Sequence, residues 1–161
     1  MRKILFKAKR IDNGEWVEGW LFLTEDNTYI AYASQFDDDL FLSPQNIFIA
    51  VDIETICQYT GLTDKNGNRI WENDVLRGHG NPNDLAKVVF GEFAVIEVDS
   101  LEKVDGVIGW HTEVIPTDVV SKCEPFCLPM PLTDFYIGLS EWEVIGNIFD
   151  NAEWLKGSEE E

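Results

Sequence analysis

The run "YTGLTDKNGNRIWENDVLRG", residues 59–78, sets a glycine bend, an Asn-Gly turn and an acidic-then-apolar strand entry one behind the other. Gly61 permits a bend after Tyr59. Asp64-Lys65-Asn66-Gly67 reads as a hairpin turn, in which the Asp64 carboxylate bonds the backbone ahead of it and Gly67 takes the left-handed conformation. Ile70 and Trp71 follow, then a second tight turn at Glu72-Asn73-Asp74 and a strand starting at Val75. Asparagine tolerates positive φ better than other residues with a side chain, so Asn73 suits the centre of that turn. Every one of these features directs backbone, and none supplies a reacting group.

Outward from this run, period-two alternation dominates. Ile4, Phe6 and Ala8 alternate with Lys3, Lys7 and Lys9, which predicts a strand over residues 3–9. Asn13-Gly14 predicts a hairpin, because both residues accept the positive φ that matches strand twist. The returning strand, residues 15–23, carries Trp16, Trp20 and Phe22 on one face and Val17, Leu21 and Leu23 on the other, so both faces are expected to be covered. A turn at Glu25-Asp26-Asn27 leads to "TYIAYA", residues 28–33, and a looser stretch spans residues 34–46 with Asp37–Asp39 and Pro44. One strand is expected over residues 47–57.

Beyond the opening run, residues 85–98 predict a hairpin turning at Gly91-Glu92, and residues 107–115 a further strand. Pro116, Pro125, Pro129 and Pro131 lack amide donors, which makes residues 116–134 a loop or sheet edge. The last strand covers residues 141–149, with Asp150 or Asn151 capping a short helical turn. The pattern holds no clean helical period of ten or more residues, and argues for a mainly β chain of short strands.

Composition bounds the function. Of the 161 residues 45% are hydrophobic, with six Trp, ten Phe and four Tyr, enough for a packed interior. The apolar runs are far shorter than a bilayer span and no signal peptide is legible, so a cytoplasmic protein without a membrane partner is expected. Cys57, Cys123 and Cys127 are an odd number of cysteines, and reduced thiols follow. Thirty acidic against 12 basic side chains give a net charge of −18. Direct contact with a phosphate backbone depends on Lys and Arg and is therefore not expected. Solubility is the plain reading of the charge; an acidic decoy that imitates DNA or docks on a basic partner is the sharper one.

Together, "QYTGLTDKNGNRIWENDVL" and the later "EVIGNIFDNAEWL" resemble the YopX family of bacteriophage and prophage proteins. Tyr59, Thr60, Gly61, Leu62, Asp64, Lys65, Asn66, Gly67, Ile70, Glu72, Asp74 and Val75 fall on the first family motif, and Val144, Ile145, Gly146, Asn147 and Ile148 on the second. Asn73 stands where the family carries glycine, and Trp71 where it carries tyrosine. The resemblance implies a mainly β fold related to SH3-like barrels and no known activity. The expected organisation is an N-terminal β-meander subdomain over residues 1–58, a YopX-like SH3-like barrel over 59–155 packed against it, and an acidic tail over 156–161.

Chemical motifs are sparse. Cys123 and Cys127 lack the C-x2-C spacing of zinc ribbons, the Asp37–Asp39 run lacks the ligand pattern of a calcium loop, and neither a G-x-S-x-G elbow nor a P-loop is present. "GHGNPND", residues 78–84, is polar and glycine-rich but has neither the lysine nor the following helix of a phosphate cradle. No catalytic residue, cofactor or metal site is therefore expected, and an enzymatic role ranks last. Most of the tryptophans belong in the core, and aromatic residues are favoured at interfaces. Trp71, His79 and Trp154 are the candidate interaction residues. The expected partner is another protein or a second copy of the chain in a homo-oligomer, in the cytoplasm of a bacterial host.

Overall fold

The computed structural model describes residues 3–31, 48–97 and 99–156. The looser stretch at 34–46 and the acidic tail from residue 157 onward lie outside them. The chain is mainly β and divides into two compact units between Gly61 and Leu62. The division falls inside a strand.

The first unit contains β1 (Phe6–Lys9), β2 (Trp16–Leu23), β3 (Thr28–Ala31), β4 (Phe48–Ala50), a 3-10 turn at Ile53–Thr55, and most of β5 (Cys57–Thr63). All its pairings are antiparallel. β2 is long enough to serve two partners: Trp16–Gly19 pair with β1, and Trp20–Leu23 pair with β3. The change of partner falls at Gly19, where a Cβ would overlap the Ala31 carbonyl, so the close backbone approach requires glycine. β3 pairs with β4, and β5 pairs with β1. The chain leaving β4 returns to β1 through a bridge between Arg10 and Val51 and a bond from the Asp52 N–H to the Lys9 carbonyl. Alternation carries Ala8, Val17, Ile30 and Val51 inward, with Phe6, Leu21, Ile49 and Ile56 packed against them.

Two expectations are corrected here. The strand expected over residues 47–57 is broken, because Asp52 accepts the Glu54 N–H and starts the 3-10 turn. In the Asn13-Gly14 hairpin only Gly14 has positive φ, at 72°, while Asn13 uses its side-chain oxygen to accept the Glu15 N–H.

The second unit contains β6 (Arg69–Trp71), β7 (Asp74–Arg77), β8 (Leu85–Ile96), β9 (Lys103–Ile115), a 3-10 turn at Val120–Lys122, β10 (Met130–Pro131), α1 (Asp134–Ser140), β11 (Glu143–Asn147) and α2 (Glu153–Lys156). Its antiparallel sheet runs in the order β10-β9-β8-β7-β11. β7 is buried on both faces. Leu76 joins Ile70, Ala86, Val88, Leu132, Ile137 and Trp142 in one core, while Val75 joins Leu85 and Ile115 in another that Ile145, Ile148 and Trp154 border. Within the sheet Trp110 Nε1 is buried with no acceptor among the described residues, an expense of about 1–3 kcal/mol that the rest of the packing outweighs.

The hairpin expected to turn at Gly91-Glu92 instead runs on to Ile96 and turns at residues 97–102. Gly91 lies directly opposite Gly109, and the Phe93 ring stacks on His111 with ring centroids 4.3 Å apart. α1 went unread in the sequence. It has seven residues, a Thr133 cap whose Oγ1 accepts the Tyr136 N–H, and one buried side chain, Ile137, so its periodic signal is too short to stand out.

Candidate functional site

The two family-motif segments meet through one carboxylate. Asp64 Oδ1 accepts the backbone N–H groups of Asn66 and Asn68, both at 2.9 Å. Oδ2 accepts from Asn68 Nδ2 at 3.2 Å and from the Val144 N–H at 2.9 Å. Desolvation of this buried group pushes its pKa up, but the bonds from Val144, Asn68 and Asn66 outweigh it and hold the carboxyl below its ordinary value. The second turn repeats the device: buried Asp74 accepts the Trp71 N–H at 2.8 Å, and Asn73 between them sits at φ 65°. In the later motif Asn147 Oδ1 accepts the N–H groups of Phe149 and Asp150, which turns the chain toward α2. Gly146 faces Asn151 and Trp154 with no room for a Cβ. The motif residues hold backbone; they do not converge on a cavity.

Of the candidate interaction residues, Trp71 is buried in the second unit, which leaves little of it for a partner. Trp154 is half-buried over Val75, Leu85 and Ile115. His79 is exposed at the tip of the 78–84 loop with positive φ, 3.5 Å from the Glu141 carboxylate. Beside it, a hollow of about 310 Å³ is bordered by Asn81, Asn83, Asp84, Asp118 and Ser121. Burial raises the pKa of Asp84, and the nearby His79 works against that rise. Ser121 is already committed to its own loop: Oγ accepts the N–H groups of Thr117 and Asp118 and donates to the Asp118 carbonyl. An oxygen so engaged is a structural group and not a poised nucleophile. Among the described residues no cluster of His, Cys, Asp or Glu is arranged to hold a metal ion, and no helix is long and apolar enough to cross a membrane. All three cysteines are free thiols.

The first unit carries an exposed aromatic face. Trp20 pairs with Ala31, Phe22 with Tyr29, and Ala31 with Phe48, which places Trp20, Phe22, Tyr29 and Phe48 on the same face of the sheet. Trp20 is 54% exposed, Phe22 48% and Phe48 40%. The rings lean on one another, with centroids 5.2 Å apart for Phe22 and Phe48 and 6.4 Å for Tyr29 and Phe48. Farther along the face Trp16 packs under the ammonium groups of Lys7, at 4.8 Å, and Lys9, at 5.4 Å. Both faces of β2 were expected to be covered; only the face carrying Val17 and Leu21 is. The alternation in the sequence does not separate the two, since both faces of β2 carry large apolar side chains.

A family model described as "YopX protein" matches residues 5–156, which takes in both units. No curated protein matches the chain.

Proposed function

Because the chain belongs to the YopX family, we propose that it is an accessory protein of bacteriophages or prophages, working in the bacterial cytoplasm by binding a protein partner or a second copy of itself and not by catalysis. The observation that carries this reading is the aromatic face of the first unit. Three large rings sit about half in water on a rigid sheet, where burial would be favourable by about 25 cal/mol per Å². Contiguous exposed apolar surface of this kind marks interaction sites, and Trp and Tyr are enriched among residues that dominate binding energy. The SH3-like relationship, expected over the second half, also draws support from this unit. Here β2 is shared between two partners, and a 3-10 turn separates β4 from the strand that returns to β1.

Net charge favours a second reading, an acidic mimic of DNA that occupies a host DNA-binding protein. Capture with the tagged full chain from a host lysate, read by mass spectrometry alongside light scattering for native mass, separates the two. The binding reading expects a dimer mass, or a neutral partner whose capture falls when Trp20→Ser and Phe48→Ser are combined. A single basic DNA-binding partner, released by salt and indifferent to that double variant, would replace it with the mimic.

A further inference from the structure

We propose that the hollow at the turn end of the first unit docks a cationic segment of a partner protein that carries aliphatic anchors. This rests on the reading of the chain as a protein-binding module, but uses a surface other than the aromatic face. The hollow encloses about 770 Å³ and is built by three connections: the β1–β2 turn, the turn from Leu23 to Thr28, and the entry to the 3-10 turn at Asp52 and Ile53. Each connection contributes one large aliphatic side chain. Ile11 is 65% exposed, Leu23 60% and Ile53 62%. Turns favour Gly, Pro, Asn, Asp and Ser, so three branched aliphatics converging on one hollow are not explained by turn formation.

The rim supplies charge complementarity. It carries Lys9, Arg10 and Asp52, with Asp52 bonded through its N–H to the Lys9 carbonyl, together with Glu25 and Asp26. The Arg10 guanidinium is engaged by Asp12 through two bonds, Nε to Oδ1 at 2.8 Å and Nη2 to Oδ2 at 2.6 Å. Lys9 lies over the Trp16 ring. Asp52 Oδ1 accepts the Glu54 N–H. Glu25 and Asp26 have no ion-pair partner among the described residues, so the rim carries unneutralised carboxylates beside bare aliphatic surface. The net charge of −18 steers cations toward the molecule as a whole. The hollow adds an apolar seat to that attraction. A hydrophilic polycation meets half of the requirement and a neutral apolar peptide the other half; a segment with Leu or Ile flanked by Lys or Arg meets both.

The test is fluorescence anisotropy with the full chain and three labelled peptides of equal length: one of leucine and lysine, one with serine replacing every leucine, one with glutamate replacing every lysine. The expected result is saturable binding of the leucine–lysine peptide alone. Its affinity should fall at least tenfold in Leu23→Ser/Ile53→Ser, fall comparably in Glu25→Gln/Asp26→Asn, and weaken as salt is raised. Equal binding of the serine–lysine peptide, unchanged affinity in the rim variant, or no saturable binding would overturn the proposal. Should the aliphatic variant lose its circular dichroism signature, the rim variant and the serine–lysine peptide decide the outcome. Trp20→Ser/Phe48→Ser should leave peptide binding intact, so this proposal and the reading of the aromatic face can fail separately.

Discussion

At position 64 four N–H donors surround one buried carboxylate, and three of them come from the turn that follows while one comes from β11. Asparagine there would set an NH2 group against an N–H donor, and charged hydrogen bonds are the stronger kind. Asp64→Asn should therefore cost about 2–3 kcal/mol in urea unfolding at neutral pH. The Asp64 pKa is depressed in the fold, so its contribution is complete above the unfolded value of about 3.9 and is lost as pH falls through the lower folded value. The gap between wild type and Asp64→Asn should accordingly close in strong acid; a gap that stays constant from neutral pH into that range would show that the carboxylate charge is not the source. Backbone strain also belongs at this scale. Leu101 sits at φ 57° and is 78% exposed, in the place within its hairpin turn that Gly14 occupies in the first. Relief of left-handed strain exceeds the added chain entropy of glycine, so Leu101→Gly should stabilise by about 0.5–1 kcal/mol. Asn73→Gly, at φ 65°, should leave the melting temperature unchanged or raise it, and a loss of several degrees would show that glycine is not favoured there.

β11 and the helical turn after it depend on one missing Cβ. At Gly146 an added methyl would overlap Asn151 Oδ1 and come within 2.9 Å of Trp154 Cζ3, displacing the ring from Val75, Leu85 and Ile115. Gly146→Ala should destabilise by about 1–3 kcal/mol and shift tryptophan emission to the red; unchanged unfolding and emission would mean that Trp154 is not held there. Elements with strong local chemistry were legible before the structure. The Asp64–Gly67 turn, the Asn73 turn and the turn after Leu23 each announce themselves in residues that form their own bonds. What was not legible depended on partners distant in sequence. Gly91-Glu92 carries a turn signal, but the apolar side chains from Phe93 to Ile96 gain more by pairing with β9, so the strand continues through it. The aromatic face of β2 follows the same rule: burial of Trp20 and Phe22 is decided by what lies over them, and sequence alternation is silent on that.

Across the whole molecule the charge is uneven. Arg2, Lys3, Lys7, Lys9 and Arg10 place five of the 12 basic residues in the first ten positions, while acidic residues are spread along the chain. A partner is met by a net negative field at long range and by particular apolar surfaces at contact, and it is the second that distinguishes one cationic partner from another. The aromatic face is the central claim, and hydroxyl-radical footprinting of the full chain, free and bound to whatever it captures or to its own second copy, tests it most directly. The account expects Trp20, Phe22 and Phe48 to be oxidised in the free protein and protected in the complex. Equal oxidation of these three residues in both states, with protection confined to the second unit, would contradict it.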